Sequence, residues 1–322
     1  MVLTVLLFIA GLICLIKGGD WFVDGATSFA RKMHLPEVLV GATVVSIGTT
    51  LPEVMVSATS AATGHGDLAY GNAIGSIICN TALIAAITMA VRPAKVDRKT
   101  LILPSSAFFI SAVIYMAVSY ISGYFSRILG ILFLAIFAVY MFISVKQSLS
   151  QYRQGSAQNV DEQELMPAWK MVLLLVIGAA LIAVGARLLV DNGTKIAIAL
   201  GVPESVVALT MVALGTSLPE LVTAITSLAK GHGDLSLGNI IGANLFNLVL
   251  VSGISVTINP FSIPSEKTIA GVNSSLVVDL PLMLVVMLIM IIPVLSKSKI
   301  FRWQGILLLC MYACFIGYQF IV

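Results

Sequence analysis

The amino-acid sequence predicts an all-α polytopic membrane protein, with ten transmembrane helices arranged as two inverted five-helix repeats. Three observations carry this expectation. Of 322 residues only 18 are Lys or Arg and 15 are Asp or Glu, a charged fraction of 10%, against roughly 25% in an ordinary soluble domain. Hydrophobic residues make up 59% and gather into long runs, material for roughly eight to eleven crossings at about 20 residues each. Third, the chain repeats itself at a fixed offset. The net charge of +3 is too thinly spread, with no basic stretch interleaved with aromatics, to form a nucleic-acid face.

In chain order, the apolar runs lie near residues 2–28, 37–62, 69–90, 101–120 and 125–145, then 169–198, 204–229, 236–258, 273–295 and 301–321. The first begins like the core of a signal peptide. Met1 to Ile16 holds no positive residue, however, and no small-residue cleavage pattern follows, so it is expected to be the first half of a spanning helix. Runs two and seven open at Pro36-Glu37 and Pro203-Glu204, residue types that favour a first helical turn. Gly64-His65-Gly66-Asp67 joins runs two and three, and Gly231-His232-Gly233-Asp234 joins runs seven and eight. Both predict tight turns whose Asp caps the next helix, with the histidines solvated. From Lys146 to Pro167 the chain is polar, rich in Gln and Ser, and carries Asp161, Glu162 and Glu164. The expected organisation is therefore a first half over 1–145, a cytoplasmic linker over 146–168 and a second half over 169–322. Cys14, Cys79, Cys310 and Cys314 sit inside apolar runs with no accompanying His, which predicts small core hydrophobes.

Adding 167 to a residue number superposes the halves. Pro36-Glu37 falls on Pro203-Glu204, Leu51-Pro52-Glu53 on Leu218-Pro219-Glu220, Gly71-Asn72 on Gly238-Asn239, and Asn80 on Asn247. About half of this 45-residue stretch is identical between the copies, which marks an internal duplication. An odd number of helices per half makes the second copy enter the membrane from the opposite side. Placing the N-terminus outside puts thirteen of the eighteen basic residues in or beside cytoplasmic loops and leaves only Arg127, Lys195 and Lys267 in outer ones. The positive-inside bias thus predicts both termini outside the cytoplasm.

Chemistry is expected where charge lies inside the membrane. Glu53 and Glu220 each fall about sixteen residues into an apolar run, where an ionised carboxylate costs about 2.5–3.5 kcal/mol or more. No basic residue lies within a helical turn of either. The compensating partner is then a proton, a distant side chain or a bound cation; two protonated glutamates bonded across a helix interface would be the structural alternative. Pro52 and Pro219 deprive the carbonyls of Gly48 and Gly215 of a helical partner, predicting broken backbone at membrane depth. Hydroxyls of Thr49, Thr50, Thr216 and Ser217 lie within a turn of the glutamates. On the following helix, Asn72, Ser76 and Asn80 share one stripe at i, i+4, i+8, repeated as Asn239, Ala243 and Asn247. The set is all oxygen, which suits a hard cation, Ca²⁺ or Na⁺, and disfavours zinc or copper. Gly-x-Gly-Asp occurs in intramembrane aspartyl proteases, but Asp67 and Asp234 follow polar turns and no Tyr-Asp pair exists, so no enzyme is expected.

Gly48-Thr49-Thr50-Leu51-Pro52-Glu53 followed by Gly71-Asn72-Ala73-Ile74-Gly75-Ser76, repeated as Gly215-Thr216-Ser217-Leu218-Pro219-Glu220 and Gly238-Asn239-Ile240-Ile241-Gly242-Ala243, resembles the two α-repeats of the calcium/cation antiporter superfamily. The likeness is greatest to the prokaryotic sodium/calcium exchangers. The resemblance implies an antiporter of the cytoplasmic membrane that exchanges Ca²⁺ for Na⁺, with no cofactor and no partner beyond lipid and the two ions. Carried over by position, it implies that Glu53 and Glu220 are shared carboxylates and that backbone oxygens of Thr49 and Thr216 complete a calcium site. Thr50, Ser217 and Ser76 would serve sodium, with backbone oxygens near Ser46 and Ala213, while Asn80 and Asn247 line the centre. Ala243 stands where the family often has Ser, and Asn247 where many members have Asp. Helices 1 and 6, with Gly18, Gly19, Gly185 and Ala186, would slide to switch access. A proton-coupled calcium antiporter is the alternative.

Overall fold

The computed structural model describes residues 1–93, 96–155, 166–201, 215–265, 268–269 and 271–321. Helices dominate because a chain in lipid must satisfy its backbone N–H and C=O groups within the segment. They are α1 (Val2–Lys32), α2 (Glu37–Ala62), α3 (Gly66–Val91), α4 (Arg98–Ile121), α5 (Arg127–Gly155), α6 (Ala168–Ala199), α7 (Leu218–Ala229), α8 (Gly233–Ile258), α9 (Ser275–Lys297) and α10 (Arg302–Ile321). Among the described residues eight of these, α1 to α6 with α8 and α9, are long and apolar enough to cross a membrane; α7 is shorter, and the residues ahead of it, 202–214, lie outside the described set. Pro203, Glu204 and Ala213 fall there. Many large apolar side chains on α1, α4, α5 and α6 point outward, among them Ile13, Ile110, Val113, Phe142 and Val176, as a lipid-facing surface requires. Helix α5 continues into the segment expected to be linker, ending at Gly155.

Three expectations are corrected. The cap positions of α3 and α8 are held by His65 and His232, with Asp67 and Asp234 inside the first turn and no side-chain cap. The His carbonyls already accept from Ala69 and Ser236, both at 3.3 Å, so the acids act only through the helix dipole. His232 is not a solvated residue: its Nδ1 lies 2.8 Å from Glu37 Oε1 and both side chains are largely covered. Of the cysteines only Cys79 is buried, while Cys310 and Cys314 are exposed on α10. A helix surrounded by lipid has no reason to turn an apolar thiol inward.

The connections gather at two ends of the bundle. At one, residues 124–125 pair with 261–262 as short antiparallel strands, and Asn259 Nδ2 donates to Ala61 O at 3.1 Å. At the other, Val96 N donates to Ser298 O at 3.0 Å, and Arg92 reaches Leu228 O at 3.4 Å. The last contact of each group is the same contact in the two copies, since 92 and 228 are 259 and 61 offset by 167. The turn at Gly64-His65 belongs to the first end and that at Gly231-His232 to the second.

Helices α1 and α6 stand against each other, outside the large apolar core built mainly by α3, α4, α8 and α9. Their contact runs in antiparallel register: Gly11 meets Gly185 and Gly18 meets Gly178. A Cβ on Gly18 would lie 2.9 Å from both Gly178 O and Ile182 N, so glycine is what lets the two backbones touch.

Candidate cation site

Helix α2 inverts the usual amphipathic logic. Ser46, Thr49, Thr50, Glu53 and Ser57 form its buried stripe, whereas Ile47, Leu51 and Met55 are exposed. Lipid outside and polar groups inside is the pattern of a helix that serves an internal site. Helix α7 repeats it with Glu220, Thr223 and Ser227 buried and Ile225 outward. Between them α3 and α8 supply the asparagines. Each of these two helices widens into a π-helical segment beginning at the equivalent residue, Asn80 in α3 and Asn247 in α8, a feature frequent at functional sites. A third such segment, Gly41–Val45, precedes Ser46 in α2.

Backbone continuity differs between the copies. The helix runs through Pro52 without interruption, while in the second copy it breaks at Thr216-Ser217, leaving Pro219 in the first turn of α7. The expected break in both copies is thus present in one. A proline removes a single backbone bond, and a helix packed on its neighbours bends there rather than unwinding.

Two hydrogen bonds tie the copies together crosswise. Thr49 Oγ1 donates to Asn239 Oδ1 at 3.2 Å, and Thr216 Oγ1 donates to Asn72 Oδ1 at 3.1 Å. Thr49 and Thr216 are equivalent residues, as are Asn72 and Asn239, so each half's threonine grips the other half's asparagine. Ser46 Oγ adds bonds to Gly41 O (2.8 Å) and Asn239 O (3.0 Å), and Asn72 Nδ2 donates to Ser57 Oγ (2.8 Å) and to Glu53 O (3.2 Å). The asparagine stripe is divided by these bonds. Asn72 and Asn239 join helices, whereas Asn80 and Asn247 leave both amide atoms buried with no hydrogen-bond partner.

The same holds for both carboxylate oxygens of Glu53 and of Glu220, and for the hydroxyls of Thr50, Ser217 and Ser76, all buried and unpartnered. Asn72 links the two turns that bear the carboxylates: its Nδ2 donates to Glu53 O, and its Oδ1 accepts from Thr216, four residues before Glu220. Three equivalent pairs, Thr50 with Ser217, Glu53 with Glu220 and Asn80 with Asn247, therefore turn unsatisfied oxygens into one interior. Burying such groups without partners costs about 1–3 kcal/mol each, and more when charged. A cation that takes up these oxygens relieves the whole set together. Among the described residues no three His, Cys, Asp or Glu cluster as ligands, so two carboxylates and neutral oxygens are the available donors, a hard-cation set. Ala213 lies outside the described residues. Thr223, Ser227 and Ser236 are also buried and unpartnered and do not stand out in the sequence: Thr223 and Ser236 correspond to Val56 and Ala69, so no hydroxyl repeats there, and Ser227 corresponds to Ser60, one of several hydroxyls near the end of its run.

The family model for the sodium/calcium exchanger protein matches residues 3–146 and 170–321. The chain belongs to the sodium/calcium exchanger family. Its members are transporters rather than enzymes, and the chain is a multi-pass membrane protein of this cation/Ca²⁺ exchanger group. It is 35% identical over 312 residues to an uncharacterised membrane protein of Methanocaldococcus jannaschii, covering 97% of this chain and 96% of the relative. Sodium/calcium exchanger MaX1 of Methanosarcina acetivorans is 28% identical over 352 residues, 98% of each chain. Among solved structures, the sodium-calcium exchanger NCX_Mj soaked with 10 mM Na⁺ and 10 mM Sr²⁺ superposes with a TM-score of 0.81 at 32% identity, covering 98% of both chains.

Proposed function

We propose that the chain is a secondary active antiporter that exchanges Ca²⁺ for Na⁺ across the cytoplasmic membrane by alternating access, with both ions competing for the oxygens around Glu53 and Glu220. The observation that carries this reading is the set of equivalent, buried and unpartnered oxygens contributed by both halves. Ca²⁺ balances two ionised carboxylates; several Na⁺ can do the same, and competition for one set of ligands is exchange. Thr50, Ser217, Ser76, Asn80 and Asn247 are the neutral ligands in this scheme, Thr49 and Thr216 contribute backbone oxygens, and Asn72 and Asn239 hold the threonines in place. Ten spanning helices in two inverted halves, 1–145 and 169–322 with a cytoplasmic linker between, and both termini outside complete the reading. Antiparallel α1 and α6, and equivalent turns at opposite ends of the bundle, support that inversion.

The test is ⁴⁵Ca²⁺ uptake into proteoliposomes under an imposed Na⁺ gradient and, separately, an imposed pH gradient. Uptake driven by Na⁺ and not by protons is expected. Uptake that follows only the pH gradient would replace Na⁺ by H⁺ as the coupling ion.

A further inference from the structure

An exchanger built from two equivalent halves has two end states that differ in which half takes which conformation. Were the halves identical, those states would have equal free energy. Any preference must come from positions where the copies differ, so contacts present at one end of the bundle and missing at the other set the balance. Some end contacts are matched, as Arg92–Leu228 is by Asn259–Ala61. Among the described residues, a network that ties α1 to the end of α7 is not.

Lys230, just past α7, places Nζ 2.8 Å from Asp24 Oδ1, 3.0 Å from Asp20 O and 3.4 Å from Asp20 Oδ1, all on α1. The ammonium group donates two hydrogen bonds, to Asp24 Oδ1 and Asp20 O, and forms a longer ion pair with Asp20 Oδ1. Nearby, α1 lies flush on α7: a Cβ on Gly19 would come within 2.8 Å of Thr226 Oγ1 and Val222 Cγ1. At the equivalent place in the other half, Thr63 stands for Lys230, Arg187 for Asp20 and Asp191 for Asp24. Thr63 bonds only within its own turn, to Thr59 O and His65, and Arg187 pairs with Asp191 along its own helix at 3.7 Å. Met55, the counterpart of Val222, is 66% exposed. The end bearing Lys230 is fastened and its mirror end is parted.

We propose that Lys230 is a positioning residue that latches α1 to the end of α7 and biases the resting protein toward the state in which that end is closed. The proposal rests on the alternating-access reading above. It assigns Lys230 no contact with the ions; the residue acts through α1. Behind the latch, Thr223 and Ser227 extend a line of buried, unpartnered hydroxyls from Glu220 toward Lys230, the polar lining expected of a route that opens when α1 leaves α7.

The test uses the full chain in proteoliposomes with its four cysteines replaced by Ala and one reporter cysteine, labelled by a water-soluble maleimide. Ser227→Cys reports the closed route, and Ser111→Cys, buried in α4, reports general loosening. With two half-exposed ion pairs at stake, Lys230→Thr should speed labelling at 227 about three- to fivefold and leave 111 unchanged, while Lys230→Arg should keep the parent rate at both. An unchanged rate at 227 in Lys230→Thr, or an equal rise at 111, would overturn the latch. Because the readout is access and not flux, the latch can fail while Ca²⁺ exchange stands, and a failed flux assay leaves this result legible.

Discussion

Replacing Glu220 with Gln keeps the shape of the site and removes one of its two formal charges. Both carboxylates are fully buried and neither oxygen pair has a hydrogen-bond partner within the protein, so in the proposed scheme a bound cation supplies their compensation. Withdrawing one member of a buried charge interaction costs about 3–5 kcal/mol, and at about 1.4 kcal/mol per decade Ca²⁺ affinity should fall at least roughly a hundredfold. Thermal unfolding in detergent reads this directly. At a Ca²⁺ concentration of about 100 times the parent Kd, the ion stabilises the parent by about 2.7 kcal/mol, and the same concentration stabilises a variant bound a hundredfold more weakly by only about 0.4 kcal/mol. The ion-free variant should be no less stable than the ion-free parent, since one buried charge has been removed from it. Glu53→Gln should behave alike, and neither should exchange ⁴⁵Ca²⁺ at the parent rate. A Glu220→Gln protein that retained the full Ca²⁺-dependent rise in melting temperature and normal flux would show that this carboxylate does not hold the ion.

Single cysteines beside His65 and His232 should label from opposite faces of oriented vesicles; labelling from one face would end the inverted topology. Asn247→Asp adds a third carboxylate to the interior, so Ca²⁺ flux should become more pH-dependent than in the parent, and identical pH and Na⁺ profiles would place residue 247 away from the ions. Gly18→Val puts atoms where Gly178 O and Ile182 N already sit at 2.9 Å from a Cβ. Overpacking of about 1–3 kcal/mol should lower the melting temperature and slow flux while the Ca²⁺-dependent shift survives, and a parent-like melt and rate would contradict the tight α1–α6 contact.

Much of this arrangement was legible because duplication is a form of internal evidence. One proline-kinked helix with a glutamate is weak; a hexapeptide recurring 167 residues later with only Thr50 changed to Ser217, in a half with an odd number of helices, fixes what must be compared with what. The buried faces of α2 and α7 followed from membrane physics, since Glu53 and Glu220 could not face lipid. Which asparagines would be free was not legible. Asn72 and Asn80 share a stripe and a residue type, and only the third dimension shows that Thr216 comes from the other half to engage Asn72 while nothing comes to Asn80.

Where the copies diverge, pattern-reading loses its purchase, because an unmatched residue looks like drift. Lys230 counted as one more cytoplasmic basic residue, and His232 as one more solvated turn. Each instead reaches a helix of the other half, Lys230 to Asp20 and Asp24 and His232 to Glu37. In the proposed exchange cycle, matched residues are constrained by the shared ion, which meets the same ligands whichever side is open. Unmatched residues at the helix ends carry no such constraint, and they alone can make one open state cheaper than the other. The direction in which such a protein rests is therefore written in the positions where its symmetry fails.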